Sequence, residues 1–534
     1  MEKTQWPATL DLRNPVQLGL KWLKDTDTRK ITDVGEDGWW VGWGYGDVTG
    51  RMVDAFILAR QVLGVSEPYP EELRTREFLI SLFDPKDGLS WRPETSKRRR
   101  AAHMFDQSSV LFGLVTWWME SYDKTVKKYL ERLIEGLWQI AEKPDDYCYY
   151  PLEVYTPAGW TEDYDEFRDG RKNVKADPCH EGGRQIFPLV QYYELTGFET
   201  ALKLAQGLAN FVMYHAGVFE PDGSFLERKS RVAGHVHSRL ATAAGVIKLG
   251  LVTVRDELIQ WGKKVFDWAM NNVAFSFGWV SEMAHRSNGG CETCCITDAI
   301  EIALLLARNG YPEYWDMAER FARNHLLESQ CQKTGGFSGH SRPNDYTWIH
   351  YATGKPDYDV AGCCSPAGVR GLYLIWDNIV TTSNGRVDVN FALNRTSEWV
   401  EVKSFLPHRG EIHLRVNTPC KLRYRMPDWA VQQDWMVKIN DIPGKVSLDG
   451  TYILINDLRE NDEVVITYPV RKVTVQEEVM KQRFTVHWRG NTVVQIEPQG
   501  EVEPLYRRAN LDTDEVSVYE MKPGGILAHY IHWF

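Results

Sequence analysis

The run Ile296-Thr297-Asp298-Ala299-Ile300-Glu301-Ile302-Ala303-Leu304-Leu305-Leu306-Ala307 reads as a helix with almost no polar side. Ile296, Ala299, Ile300, Ala303, Leu304 and Ala307 recur at helical spacing and form one stripe, and Ile302, Leu305 and Leu306 coat a second. A helix apolar on nearly every side has to be surrounded by protein, so this one is expected to form an inner wall. Asn309-Gly310 ends it, and Pro312 opens the next helix where a missing N–H costs nothing. That next helix should turn Tyr314, Met317, Phe321 and Ala322 inward and Glu313, Arg320 and Arg323 outward.

The same layout extends on both sides. Helical segments begin near Asn14, Val48, Pro70, Met104, Lys124, Arg184, Phe198, His235, Val254, Cys295, Pro312 and Pro366. Paired into six hairpins and closed into a ring, they make an (α/α)6 toroid whose inner helices and connecting loops surround one deep pocket. After about Ser383 the period changes to two, as in Val387 to Phe391, Glu411 to Val416, Lys421 to Arg425, Tyr452 to Ile455, Glu463 to Tyr468 and Phe484 to Trp488. The expected organisation is mainly α with β: a helical barrel over 1–383, then a C-terminal β-sandwich over 384–534.

Composition narrows the function classes. A chain of 534 residues, 43% hydrophobic and 25% charged, can bury a large core. Its net charge of −11 argues against nucleic acid as a partner. The basic run Lys97-Arg98-Arg99-Arg100 reads as a solvated loop. No apolar run is long enough to span a bilayer, and Met1 to Leu12 lacks the apolar core of a signal peptide. Nine cysteines, with two adjacent pairs, do not resemble a secreted disulfide framework, so a cytoplasmic protein with reduced thiols is expected. Oligomeric state is not legible; a homodimer is compatible with the sequence.

Two of the inner-wall helices open on unusual residues. Cys291-Glu292-Thr293-Cys294-Cys295 precedes one, and Cys363-Cys364-Ser365-Pro366 precedes another. Crowded thiolates and carboxylates repel, so such a cluster calls for a cation, and Zn2+ accepts a mixed sulfur and oxygen shell. By geometry alone Cys291 or Cys295 could stand in for Cys294. A closed four-ligand site is also the form of a structural clamp. Histidines mark two further helix mouths, Cys179-His180-Glu181-Gly182-Gly183 and Gly234-His235-Val236-His237. Asp47 and Arg51 follow the loop Gly38-Trp39-Trp40-Val41-Gly42-Trp43-Gly44-Tyr45-Gly46, where an indole such as Trp43 offers a flat face for a sugar ring.

Glu292-Thr293-Cys294 followed by Cys363-Cys364-Ser365-Pro366 resembles glycoside hydrolase family 127, the cysteine-dependent β-L-arabinofuranosidases. The tail agrees through Tyr424-Arg425-Met426-Pro427-Asp428-Trp429-Ala430, Val437-Lys438-Ile439-Asn440 and Asn461-Asp462-Glu463-Val464. The resemblance covers about residues 180 to 500 and implies an α/α barrel followed by β-sandwich material. It implies a zinc site made by Glu292, Cys294, Cys363 and Cys364, with Cys363 as nucleophile. It implies Glu282, in Val280-Ser281-Glu282-Met283-Ala284, as general acid/base, closer to Glu292 than is usual in that family. His235 matches a family Gly-His facing the sugar, and His180 matches another; His237, Trp43 and Asp47 complete the candidate sugar-binding set.

The reading that follows is a retaining exo-glycosidase releasing terminal β-L-arabinofuranose, or a related sugar, from a glycoside or short oligosaccharide. Two other classes stay open. One is an α/α-barrel sugar epimerase or isomerase working through His235 and His237. The other is a non-catalytic carbohydrate-binding protein with structural zinc.

Overall fold

A computed structural model describes residues 11–506 except 33–43, 167–169, 171, 227–233, 286–288, 347, 350–355, 358–361, 384 and 432–433. Trp43 therefore lies outside the described residues. Among them are twelve α-helices: α1 (Arg13–Asp25), α2 (Gly46–Leu63), α3 (Pro70–Ser81), α4 (Met104–Ser121), α5 (Lys124–Ile140), α6 (Ile186–Thr196), α7 (Glu199–Asn210), α8 (Val236–Thr253), α9 (Asp256–Asn272), α10 (Thr293–Arg308), α11 (Tyr314–Phe321) and α12 (Cys364–Ile379). Each begins within two residues of the position expected from the sequence.

The even-numbered helices close a ring in the order α2, α4, α6, α8, α10, α12 and back to α2. The odd-numbered ones lie outside, α3 on α2, α5 on α4, α7 on α6, α9 on α8, α11 on α10, and α1 against α12 and α2. This is the (α/α)6 toroid. The sequence sorts helices between the two layers by how much of their circumference is apolar. All of α10 from Thr293 to Ala307 and all of α12 are buried. By contrast α5 buries Val126, Leu130, Leu133, Ile134 and Leu137 on one face and leaves the other wet.

Two glycine features shape the ring. Gly197, at φ 70°, ends α6 in the left-handed conformation that glycine adopts without strain. Gly50 and Gly113 let α2 and α4 touch backbone to backbone: a Cβ on Gly50 would collide with the Ser109 carbonyl, and one on Gly113 would lie 2.5 Å from the Gly50 carbonyl oxygen. That close approach sets Asp47 against Ser109.

Apart from two short two-stranded ladders in the loops of the ring, Ala102–His103 with Val154–Tyr155 and Trp348–Ile349 with Pro356–Asp357, the sheets are built from Val380 onward. A five-stranded sheet runs Ser447–Asp449, Tyr452–Leu458, Cys420–Arg425, Arg386–Val389, Val380–Ser383, with Leu422 opposite Val387 in its parallel pair. A six-stranded sheet runs Ile442–Pro443, Met436–Ile439, Glu463–Thr467, Glu411–Val416, Val400–Ser404, Arg395–Thr396. Alternate residues such as Ile412, Leu414 and Val416 are buried, and a 2.9 Å hydrogen bond between the Tyr424 and Tyr468 hydroxyls ties the two layers. A three-stranded antiparallel sheet, Lys472–Val479, Gln482–Arg489 and Thr492–Glu497, completes the region.

The sheets sit on α11, which overturns one expectation. Arg323, expected to point outward, is 1% exposed, bonded to Glu319 at 2.7 Å and to the Ala392 carbonyl. The face of α11 that carries Asp316 and Glu319 is covered by the β region. Arg425 reaches Asp316 at 2.7 Å and Glu319 at 3.0 Å, and Asn491 meets Asp316 at 3.0 Å. Arg98 is a second correction. The run is a loop with Lys97 and Arg99 exposed, but Arg98 within it is fully buried, bonded to Glu166 at 3.0 Å, and Glu166 also takes His103 at 2.5 Å.

Candidate active site

Adjacency of α10 and α12 in the ring brings the two cysteine runs together. Glu292 is the residue preceding α10, Cys294 lies in its first turn, Cys363 precedes α12 and Cys364 begins it. One ligand atom from each of Glu292, Cys294, Cys363 and Cys364 lies within 4.8 Å of every other. Cys363 Sγ is 3.4 Å from Glu292 Oε1 and 3.9 Å from Cys364 Sγ. Cys364 Sγ is 3.8 Å from Cys294 Sγ and 3.9 Å from Glu292 Oε1.

These separations can be tested against a metal. Sulfur at about 2.3 Å from a tetrahedral zinc puts neighbouring sulfurs about 3.8 Å apart, and a carboxylate oxygen at about 2.0 Å sits about 3.5 Å from each sulfur. The four separations fall on or close to those values, and three sulfurs with one oxygen is a donor set that a borderline-soft divalent ion accepts. The cluster therefore fits a metal ion.

Electrostatics single out one sulfur. Hydrogen bonds from Cys294 and Cys364 bring Cys363 down to about 6, against burial and the Glu292 charge. Burial, above all, pushes the Cys294 and Cys364 thiols well up. Both cysteine runs also lie at helix N-termini, where the backbone favours negative charge.

Glu292 uses its two oxygens differently. Oε1 faces the sulfurs, and Oε2 lies 3.0 Å from His235 Nε2. Burial works against the Glu292 charge, but His235, His237 and Arg51 hold its carboxyl well below the usual range. His235 Nδ1 and His180 Nδ1 both lie 2.8 Å from Ser238 Oγ. His237 is engaged at both ring nitrogens, Nδ1 by Asp298 at 2.5 Å and Nε2 by Arg51 at 3.1 Å. Since arginine only donates, Nε2 of His237 accepts and Nδ1 carries the hydrogen.

Arg51 is the hub of the floor. It reaches Cys294 Sγ at 3.7 Å and Asp47 at 3.0 Å. Asp47 also accepts from Ser109 at 2.5 Å and from Arg184 at 3.4 Å. Burial alone would raise Asp47, yet Arg51 and Arg184 hold it far below the usual carboxylate range. Burial dominates at Asp298, whose carboxyl is pushed well up. A pocket opens over this floor, lined by Arg51, Arg184, His237, Cys294, Asp298 and Arg370 among others.

Glu282 stands at the mouth of α8. Its carbonyl accepts the N–H of Val236 at 2.8 Å, and its carboxylate lies 3.3 Å from His340 Nε2. Its charge is felt at His235. The remaining cysteines do other work. Cys291 Sγ accepts the Val280 N–H at 3.4 Å, and Cys295 is buried in the apolar core, so neither joins the four-residue group. All nine cysteines are free.

Sequence reasoning did not single out Arg184, Ser238, Asp298 or His340. Two carried a signal: Ser238 is one helical turn beyond His235, and Asp298 one turn beyond Cys294, each on the face already assigned to the pocket. Arg184 and His340 carried none.

No protein-family model matches the sequence, and no curated protein matches it. Solved structures do. The chain superposes on a family 127 β-L-arabinofuranosidase from Geobacillus stearothermophilus T6 with a TM-score of 0.60 and 14% identity, covering 90% of this chain and 80% of that one. A second family 127 β-arabinofuranosidase gives 0.60 and 13%, covering 90% and 79%. Cellobiose 2-epimerase from Bacillus thermoamylovorans B4167 gives 0.50 and 12%, covering 68% of this chain and 98% of that one. The class is thus a helical toroid carrying C-terminal sheets. Within that class, the chain has the fold of the family 127 structures over nine-tenths of its length, as the two cysteine motifs led one to expect. Among the described residues no helix is long and apolar enough to cross a membrane.

Proposed function

We propose that this protein is a retaining exo-glycosidase that uses Cys363 as nucleophile and releases terminal β-L-arabinofuranose or a related sugar from a glycoside or short oligosaccharide. The observation that carries the proposal is the convergence of Cys363 with Glu292, Cys294 and Cys364 beside a buried pocket. The fold shared with two family 127 arabinofuranosidases supports the reaction class and the sugar. In this reading residues 1–383 form the catalytic unit and 384–534 a β-sandwich region docked on it.

Glu292, Cys294, Cys363 and Cys364 would hold zinc, which when bound keeps the thiols deprotonated and neutralises their mutual repulsion. Cys363 Sγ attacks the anomeric carbon and forms a thioglycosyl bond as the glycosidic C–O bond breaks. Glu282 gives its proton to the departing oxygen. A water then attacks the same carbon, gives its proton to Glu282, and the C–S bond breaks with its electron pair returning to Cys363. Two inversions leave the configuration retained. Arg51 stabilises the negative sulfur cluster, with Asp47 and His237 fixing its orientation. His340 orients the Glu282 carboxyl.

An epimerase working through His235 and His237 fits less well. Both rings have both nitrogens engaged, leaving neither free to move a substrate proton. The test is a panel of aryl furanosides and pyranosides assayed with wild type and Cys363→Ala, with metal content measured in both. Activity in the wild type and none in a Cys363→Ala variant supports the nucleophile role. Activity surviving the substitution removes it, and an inactive wild type across the panel points to a non-catalytic carbohydrate-binding protein.

A further inference from the structure

Between Phe337 and Tyr346 the chain forms no helix and no strand longer than an isolated bridge. The place of this loop is therefore set by what grips it. Its middle meets the site. His340 Nε2 lies 3.3 Å from Glu282 Oε2. The next residue, Ser341, exchanges both backbone hydrogen bonds with Cys291, the neighbour of Glu292, at 2.7 and 3.1 Å. Gly290 passes so close that a Cβ on it would lie 2.8 Å from the His340 Cα.

The far end of the loop is held by the segment that returns from the β region. The Asp345 carboxylate accepts the N–H groups of Val502 and Glu503, each at 2.8 Å. The Leu505 N–H donates to the Asn344 carbonyl, and the Tyr346 N–H to the Glu503 carbonyl, both at 2.9 Å. Tyr506 then reaches the helical barrel. Its N–H donates to Glu328 at 2.9 Å, and its hydroxyl lies 2.8 Å from His325 Nδ1. The other His325 nitrogen lies 2.8 Å from the Ser341 hydroxyl. Tyr506, His325 and Ser341 are all buried, so no bulk water competes for these bonds. A chain of three side chains thus leads from the β region to the residue beside His340.

We infer that Tyr506 is a positioning residue: through His325 and Ser341 it fixes the loop that presents His340, and so aims the Glu282 carboxyl at the departing oxygen. The catalytic consequence rests on the glycosidase reading above.

The experiment uses full-length, zinc-loaded protein and two aryl glycosides of the sugar that turns over best. Phenol needs a proton to leave, whereas 2,4-dinitrophenol leaves as a stable anion. The ratio kcat/KM reads the steps up to formation of the thioglycosyl bond. Tyr506→Phe lowers it about tenfold on the phenyl glycoside and leaves it unchanged on the dinitrophenyl one, with metal content unaltered. Glu282→Gln shows the same selectivity at larger size, roughly 100- to 10,000-fold, and in that background Tyr506→Phe costs nothing further. Equal losses on both glycosides, or a loss that persists in Glu282→Gln, assign Tyr506 to the stability of the fold alone and overturn the inference. An unaltered rate on the phenyl glycoside also overturns it. Asp345→Asn turns an amide N–H toward one of the two N–H groups it held, loosens the same loop from its far end, and gives the same pattern. If Tyr506→Phe fails to fold, that variant decides by the same criteria. A wild type inactive on every glycoside refutes the catalytic role together with the glycosidase reading. A crystal structure of Tyr506→Phe then decides the positioning: the 3.3 Å contact of Glu282 with His340 is lost if Tyr506 sets it and kept if it does not.

Discussion

Replacing Arg51 by Met removes a guanidinium 3.7 Å from Cys294 Sγ while keeping much of the side-chain volume. Thiols bind a metal only as thiolates, so a neighbouring positive charge favours the bound state. At that distance, with an effective dielectric of about 20, a thiolate and a guanidinium attract by about 4 kcal/mol. Asp47 and His237 already share the Arg51 charge, and water entering the vacated space screens the rest. About half, or about 2 kcal/mol, is left to reach the cluster. An Arg51→Met variant should therefore hold zinc about 30-fold more weakly than wild type, read by competition with a chromophoric chelator at fixed pH. Only 14% of the Arg51 side chain is exposed, so most of the difference should persist at high salt. Arg51→Lys should recover part of it, keeping the charge but losing the fork that spans Asp47 and His237. Zinc held as tightly by Arg51→Met as by wild type, with an unaltered circular dichroism spectrum, would refute the electrostatic role.

Further expectations concern the scaffold. Arg425→Met should leave Asp316 and Glu319 buried without their cation and cost about 3–5 kcal/mol, seen as an earlier denaturation midpoint. An unchanged midpoint would mean that this contact does not hold the sheets on α11. Glu166 is pushed up by burial but pulled down to about 2, from an ordinary 4.5, by His103, Arg92 and Arg98. Its folded-state pKa is depressed, so its stabilisation is present above about 4.5 and lost as pH falls toward about 2. Glu166→Gln should lower the melting temperature at neutral pH and flatten the acid limb of its pH profile; parallel profiles for the two proteins would contradict this.

Much of the architecture was readable from one chain because inner and outer helices differ in a property that a sequence carries openly. A helix such as α10, apolar all round, has no surface on which to be exposed, and α5, apolar on one stripe, has only one. The strands declared themselves by alternation, as at Glu411–Val416, where buried and wetter positions alternate. The metal-fit group was readable because four unusual donors sit at the mouths of two helices that the ring makes neighbours. Buried charges were not readable. Arg98 and Arg323 look like surface residues until their distant partners are known: Glu166 is 68 positions from Arg98, and Ala392, whose carbonyl Arg323 reaches, is 69 from Arg323. Arg184 and His340 stayed hidden for the same reason, since nothing local distinguishes a pocket arginine from a solvated one.

The most direct measurement is peptide mapping by mass spectrometry after rapid acid quench of the wild-type enzyme turning over an activated aryl glycoside. One added glycosyl group is expected on the peptide carrying Cys363, on sulfur, and none in Cys363→Ala. A glycosyl group on a glutamate or aspartate, or turnover of the same substrate by Cys363→Ala, would contradict a sulfur nucleophile.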